Sequence, residues 1–346
     1  MTPVLPPQEL DEIIDQTRDL WQALAGERLF ITGGTGFFGA WLLESFVWAN
    51  QRLNLGAQAV VLARDPEAFL QRASSRMRDP SLVFLRGSAE SFTFPQGKFA
   101  CVLHASTERY GAGRDNVLSF EHDVLGTKRT LDLAVQAGAG GYLFTSSGAV
   151  YGKQPTDVSH VPESFTGGPE ASDPNSGYAQ AKRSAEFLCA AYAARHGLRA
   201  SIARCFAFVG PHLPLDINFA IGNFMRDAMA GGPITIGGDG TPYRSYMYAS
   251  DLAVWLWTLL FRGPAGRPYN VGSDHALSIA ELAREVVQTV APSARISQAR
   301  APVPGQLAER YVPSIARAKN ELGLQLTVDL PTAIARSVAW HRQQHS

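Results

Sequence analysis

Tyr178 and Lys182 stand four residues apart in a stretch, 177–196, that reads as a helix. Residues at that spacing share one helix face, so a phenol and an ammonium can project into one cleft. A free phenol ionises near pH 10 and is a poor base. A neighbouring positive charge stabilises the phenolate and lowers that value. The pair can then take a proton from a substrate hydroxyl, or return it, as a general acid/base. An ordinary surface pair has the same Y-x-x-x-K spacing, so the surroundings must decide.

Those surroundings begin near the N-terminus. The apolar run LFI (29–31) leads into TGGTGFFG (32–39) and then a helical pattern, AWLLESFVWA. This is strand, glycine-rich turn, helix. Gly33 permits a tight turn, Gly36 lets backbone approach a pyrophosphate, and Gly39 lets the helix pack close to the sheet. The free N–H groups and partial positive charge of the helix N-terminus suit the phosphates. A nicotinamide dinucleotide is the expected cofactor, and its charge adds to that of Lys182 in lowering the Tyr178 pKa. The next strand, AVVLA (59–63), ends in Arg64 and Asp65. Asp65 could serve the ribose hydroxyls and favour NAD, whereas Arg64 could pair with a 2′-phosphate and favour NADP. The sequence leaves that choice open.

The elements that must hold these groups alternate along the chain. LVFL (82–85), ACVLHA (100–105), GYLFTSS (141–147) and RASIARCF (199–206) read as strands, with helical patterns at about 117–137 and 177–196. Such alternation predicts an α/β fold with a parallel sheet covered on both faces. Apolar groups at helical spacing over 8–25, closed by Gly26, predict a further helix in front. After Phe206, glycine and proline become frequent and strands short. The expected organisation is an N-terminal helical extension over 1–26 and a dinucleotide-binding domain of Rossmann type over 27–205. A smaller substrate-binding lobe follows over 206–346, with the helix and strand at 247–272 packing back onto the first domain.

Composition narrows the class. The 346 residues carry 31 Lys plus Arg against 31 Asp plus Glu, so bulk charge gives no support for a nucleic-acid partner. Cys101, Cys189 and Cys205 match no zinc or disulfide spacing, and no metal is expected. The opening MTPVLPPQEL lacks the basic start and apolar run of a signal peptide, and no apolar run is long enough to span a membrane. A cytoplasmic enzyme is the expectation.

Together with Thr32, the glycine turn resembles the TGxxGxxG turn of the extended short-chain dehydrogenase/reductase family. FTSSGAVYG (144–152) strengthens the resemblance, with Ser147 matching the catalytic Ser/Thr that bonds the substrate oxygen. Ser147, Tyr178 and Lys182 thus look like the Ser–Tyr–Lys set. VLHAS (102–106) is similar to the cofactor-lining H-x-A strand, and VLGTKRTLDLA (124–134) to the N-x-x-G-T helix, with Asp123 where Asn is usual. RCFAFVGP (204–211) resembles R-x-x-N-x-x-G-P, with Ala207 replacing Asn. The resemblance implies Thr35, Phe37, Phe38, His104, Ala105 and Thr145 as further cofactor contacts. GNF (222–224), ITIGGDGTPYRSYMYASDLA (234–253) and YNVGS (269–273) are similar to the nucleotide-sugar epimerase/dehydratase branch. This implies a nucleotide-diphosphate sugar substrate whose phosphates meet Asn223, Arg244 and Arg310. It also implies a homodimer built from the helices near 117–137 and 177–196.

Departures bear on the reaction. In the branch's 4,6-dehydratases, the two residues after the catalytic Thr are Asp and Glu, and the decarboxylases carry a Glu nearby. Fucose-synthase-like enzymes place a Cys where Ala149 sits. Here the two positions are Gly148 and Ala149. The resemblance therefore implies C4 epimerisation through a transient 4-keto sugar, or the related 4-keto reduction. A 4,6-dehydratase stands as the alternative, and would need its base elsewhere. Glu163 and His212, in expected loops near the cleft, are the first candidates. A non-catalytic, dinucleotide-binding redox sensor is the reading from another class, and the presence of all three reactive residues speaks against it.

Overall fold

The computed structural model describes residues 2–108, 115–217 and 219–344. Pro7–Thr17 forms α1, and a 3₁₀ turn follows at Trp21–Leu24. Strand and helix then alternate: Arg28–Thr32 (β1), Phe37–Arg52 (α2), Gln58–Ala63 (β2), Pro66–Arg72 (α3), Leu82–Arg86 (β3), Cys101–His104 (β4), Asn116–Gln136 (α4), Gly141–Ser147 (β5), Gly177–His196 (α5) and Ala200–Cys205 (β6). The remaining elements are shorter on average. They are Phe208–Val209 (β7), Ala220–Met229 (α6), Ile234–Ile236 (β8), Tyr243–Arg244 (β9), Met247–Tyr248 (β10), Ala249–Arg262 (α7), Pro268–Val271 (β11), Leu277–Ser278 (β12), Ile279–Val290 (α8), Ile296–Gln298 (β13), Arg310–Tyr311 (β14), Ala316–Leu322 (α9) and Leu330–Arg342 (α10).

Seven strands form one sheet in the order β11-β6-β5-β4-β1-β2-β3. Every neighbouring pair in it is parallel. Parallel strands buried on both faces need nearly continuous apolar runs, and β5 is buried at all seven residues. The chain runs outward through β1, β2 and β3, then returns to β4 and continues the other way. That reversal opens a crevice at the carboxyl ends of β1 and β4, where open α/β sheets bind ligands. β11 pairs with β6, and α7, buried along nearly its whole length, packs under β5 and β6.

The N-terminal stretch differs from a single helix over 8–25. Thr17 turns its hydroxyl to the Ile13 carbonyl at 2.6 Å and accepts from the Trp21 indole at 2.9 Å. The break lets Trp21 swing inward against Trp257, ring centroids 4.8 Å apart. The segment is a clamp on α2 and α7. The Leu5 N–H donates to buried Glu44 at 2.8 Å, Trp48 donates to Asp11 at 2.7 Å, and Tyr248 donates to Glu9 at 2.7 Å. It therefore steadies the helix that carries the glycine turn.

Candidate active site

A cavity of about 970 Å³ opens at the crevice. Its first wall is the turn from β1 into α2. Gly33 has φ +73°, and a Cβ there would fall 2.4 Å from the Ala105 carbonyl, so only glycine lets the turn cross the end of β4. A Cβ at Gly39 would lie 2.3 Å from the Gly34 backbone, which fixes the close approach of α2. Gly36, by contrast, faces open space on the cavity side, meeting nothing nearer than the Gly33 oxygen at 3.5 Å. Backbone open to the cavity at the start of a helix fits a dinucleotide's pyrophosphate. Thr35, Phe37, Phe38, Ala105 and Thr145 line the same cavity, and Gly39 stands behind its wall.

His104 is buried under this turn. The Ser106 N–H donates to the Thr32 hydroxyl at 3.2 Å, and that hydroxyl meets His104 Nδ1 at 2.7 Å. Thr127, 3.2 Å from Nε2, itself donates to the Asp123 carbonyl at 2.8 Å. The chain of donors is consistent with a neutral ring whose Nε2 carries the proton. Burial, and then the charge of Lys182, push its pKa down to about 3.

Ser147 ends β5, Tyr178 starts α5, and Lys182 lies one turn on, so adjacent elements bring all three to the cavity wall. The Lys182 ammonium donates to the Thr145 carbonyl at 3.1 Å and sits 5.8 Å from the Tyr178 ring centroid. Burial lowers the Lys182 pKa, and the strongest opposing influence is the charge of Asp123. Burial raises the Tyr178 pKa, and hydrogen bonding with Ser147 opposes it. Beneath the site, Arg204 grips Glu186 with two nitrogens, and Ser146 donates to Glu186 at 2.6 Å. This tie between β5, α5 and β6 has no signature in the sequence analysis.

Asp123 and Glu108 also escaped that analysis as site residues. The Asp123 carboxylate accepts from the Thr107 hydroxyl and the Glu108 N–H, each at 2.8 Å. Glu108 in turn pairs with Arg64 at 3.1 Å. Both line the cavity, so the guanidinium expected to receive a 2′-phosphate already faces a carboxylate. Asp65 is outside the lining. It caps α3 by accepting from the Ala68 N–H at 3.2 Å and lies 3.6 Å from Arg86.

The opposite wall is largely apolar. Phe206, Ala207, Phe208, Tyr246, Ile279 and Tyr311 belong to it, and Arg244 is its cation. Asn223 accepts from Arg226 at 3.2 Å, and the Arg310 guanidinium sits 4.2 Å over the Tyr243 ring; neither lines the cavity. The loop candidates for an extra base are also elsewhere. Glu163 is nearly buried, accepting from the Asn270 N–H at 2.9 Å. The His212 ring lies 4.4 Å from that of Trp340, tilted by 51°, and faces Glu44 at 3.7 Å. Both turn inward because buried partners claim them.

Residues 29–272 match the model of the NAD dependent epimerase/dehydratase family. UDP-glucuronic acid decarboxylase 3 of Arabidopsis thaliana is 34% identical over 307 residues, spanning 88% of this chain and 85% of that protein. The dTDP-glucose 4,6-dehydratase of an Actinoplanes species is 27% identical over 329 residues, 92% of this chain and 99% of that one. Among solved structures, UDP-glucose 4-epimerase of Thermotoga maritima has a TM-score of 0.75 at 20% identity, covering 92% of this chain and all of that one. The dTDP-glucose 4,6-dehydratase of Streptomyces venezuelae, solved with NAD, has a TM-score of 0.74 at 25% identity, covering 92% and 98%.

Proposed function

The chain belongs to the NAD dependent epimerase/dehydratase family of extended short-chain dehydrogenases, and on that premise we propose that it is a nucleotide-sugar C4 epimerase. The family's cofactor is NAD. Bound in the crevice, it supplies the hydride acceptor and, once reduced, the donor. The turn at Gly33–Gly39 and the start of α2 hold its pyrophosphate. Tyr178 takes the proton of the C4 hydroxyl and later returns it, Ser147 binds that oxygen, and the Lys182 ammonium favours the phenolate. Burial raises the Tyr178 pKa, so the phenol depends on these neighbouring charges to ionise. Arg244 is the cation for the diphosphate.

One observation carries the choice of reaction. The two residues after Ser147 are Gly148 and Ala149, which have no ionisable group. A Cβ at 148 would lie 2.7 Å from the Phe206 ring and 2.8 Å from the Tyr311 hydroxyl, so the place of a side chain is filled. The elimination named for the dehydratase relative would need a positioned acid and base beyond Tyr178, and the decarboxylation named for the other would need a proton donor for C5. Epimerisation needs none, because hydride leaves and returns at C4. The facing wall supports this reading. A keto sugar that must present both faces meets Phe206, Phe208 and Ile279 there, apolar groups that do not fix a sugar hydroxyl. Simple 4-keto reduction uses the same residues in one direction.

The test is to give the protein NAD and a set of UDP- and dTDP-hexoses, with products read by NMR. A C4 epimer is expected. A 4-keto-6-deoxy sugar, or a pentose with release of carbon dioxide, contradicts the proposal. The packed pair α4 and α5 exposes Val117, Leu118, Leu125 and Phe187, apolar surface suited to a second copy of the chain. Light scattering at micromolar concentration should give a dimer mass, and a monomer mass contradicts it. No helix among the described residues is long and apolar enough to cross a membrane.

A further inference from the structure

Tyr311 lies far from the catalytic residues in sequence, yet the fold holds it firmly beside them. Strand β14 pairs with β9, setting Tyr311 opposite Arg244. The chain just beyond is sewn to the segment that follows Ser147. The Val312 N–H donates to Gln154 at 3.0 Å, and the Val161 N–H donates to the Val312 carbonyl at 2.9 Å. The Tyr311 ring packs 4.7 Å from that of Phe206. Its hydroxyl occupies the volume that a side chain at 148 would fill, and it faces the cavity. The Ser147 hydroxyl accepts from the Ala149 N–H at 3.1 Å, and Ser147, Tyr178 and Tyr311 all line the cavity. Burial pushes the Tyr311 pKa up to about 12, which keeps it protonated and able to donate.

We propose that Tyr311 is a specificity residue whose phenol, in the space beside Gly148, hydrogen-bonds a sugar hydroxyl other than that on C4. The inference rests on the nucleotide-sugar reading above. Tyr178 and Ser147 are assigned to the C4 oxygen, and Tyr311, whose hydroxyl lies beside the place of a side chain at 148, has no such assignment. A neutral donor suits a neutral hydroxyl on C3 or C6. The substrate class is therefore a nucleotide hexose that keeps that hydroxyl. A site built to bond a hydroxyl discriminates strongly against the analogue lacking it, because its own polar group is left unpaired.

The test uses the full chain with NAD, in two arms. In the first, wild type is offered UDP-, dTDP-, GDP-, ADP- and CDP-hexoses. Binding of none of them removes the nucleotide-sugar reading and this inference with it. In the second, Tyr311→Phe is compared with wild type on the sugar that turns over and on its 3-deoxy and 6-deoxy forms. The expected result is a KM raised at least tenfold with kcat changed less and NAD affinity intact. On one of the two deoxy sugars, variant and wild type should become equal, and that sugar identifies the hydroxyl. Tyr311→Met, which keeps apolar contact with Phe206 without the hydroxyl, repeats the comparison if Tyr311→Phe does not fold. Equal kinetics on the parent sugar overturn the inference. So does a loss of the same size on all three sugars, which would mark a merely structural role.

Discussion

The wall of the cavity toward β1, β4 and α2 is built on the backbone of the glycine turn and the ends of neighbouring strands, with Phe37 and Phe38 from the start of α2. The wall that faces it is made of side chains from separated positions: 206–208, 213, 214, 217, 219–221, 244, 246, 279 and 311. In the first, Gly33 and Gly39 are fixed by contacts that leave no room for a Cβ. In the second, Phe206, Tyr246 and Tyr311 are fixed by packing, and another sequence could pack differently. The cofactor side thus follows from rules about turns and helix ends that any chain must obey. The facing wall is particular to this chain, and it is there that the proposed reaction has to be read.

The largest expected effect falls where the two walls meet. Tyr178→Phe should lower turnover by about a hundredfold to ten-thousandfold, the usual contribution of a general acid/base, while NAD binding persists. Steady-state rates with calorimetric titration of NAD measure both. Turnover near normal would remove Tyr178 from the mechanism, and loss of NAD binding would show that the two walls are not separable.

A second effect belongs to the cofactor side alone. His104 titrates near pH 6.5 in an unfolded chain and at about 3 in the fold. Between those values the unfolded chain binds more protons, so stability falls as pH drops below 6.5. The loss from this group is about 2 kcal/mol at pH 5. Chemical denaturation at pH 7 and pH 5 should show it in wild type and not in His104→Gln. Equal pH dependence in the two proteins would mean that the ring is not held neutral.

The smallest effect concerns the choice between dinucleotides. Removing the carboxylate beside Arg64 by Glu108→Gln should raise the NADP-to-NAD affinity ratio by up to about fivefold, since exposed ion pairs are worth about 0–1 kcal/mol. Calorimetry with both cofactors reads it. An unchanged ratio would leave Glu108 without a part in cofactor choice.

Much of the cofactor side was legible in the sequence. Gly33, Gly36 and Gly39 sit between a strand and a helix, and Tyr178 and Lys182 share a helix face, because these signals are local. The alternation of strands and helices predicted the parallel sheet for the same reason. What escaped depends on contacts distant in sequence. Arg64 was visible as a strand-end charge, but its partner Glu108 comes from another loop, anchored by Asp123. Asp65 caps a helix at its own position. Arg310 was singled out as a phosphate ligand, whereas its neighbour Tyr311 is the residue that lines the cavity. Side chains alternate along a strand, and the sequence of so short a strand does not say which face turns inward.

The central claim is that chemistry at the sugar is confined to C4. Elimination or any other proton removal at C5 requires a base, and Gly148 and Ala149 provide none. The direct measurement is turnover of the enzyme's nucleotide-hexose in deuterium oxide, with the product examined by NMR. The account predicts a C4 epimer, or a sugar reduced at C4, without deuterium at C5. Deuterium at C5, or accumulation of a 4-keto-6-deoxy sugar, would contradict it.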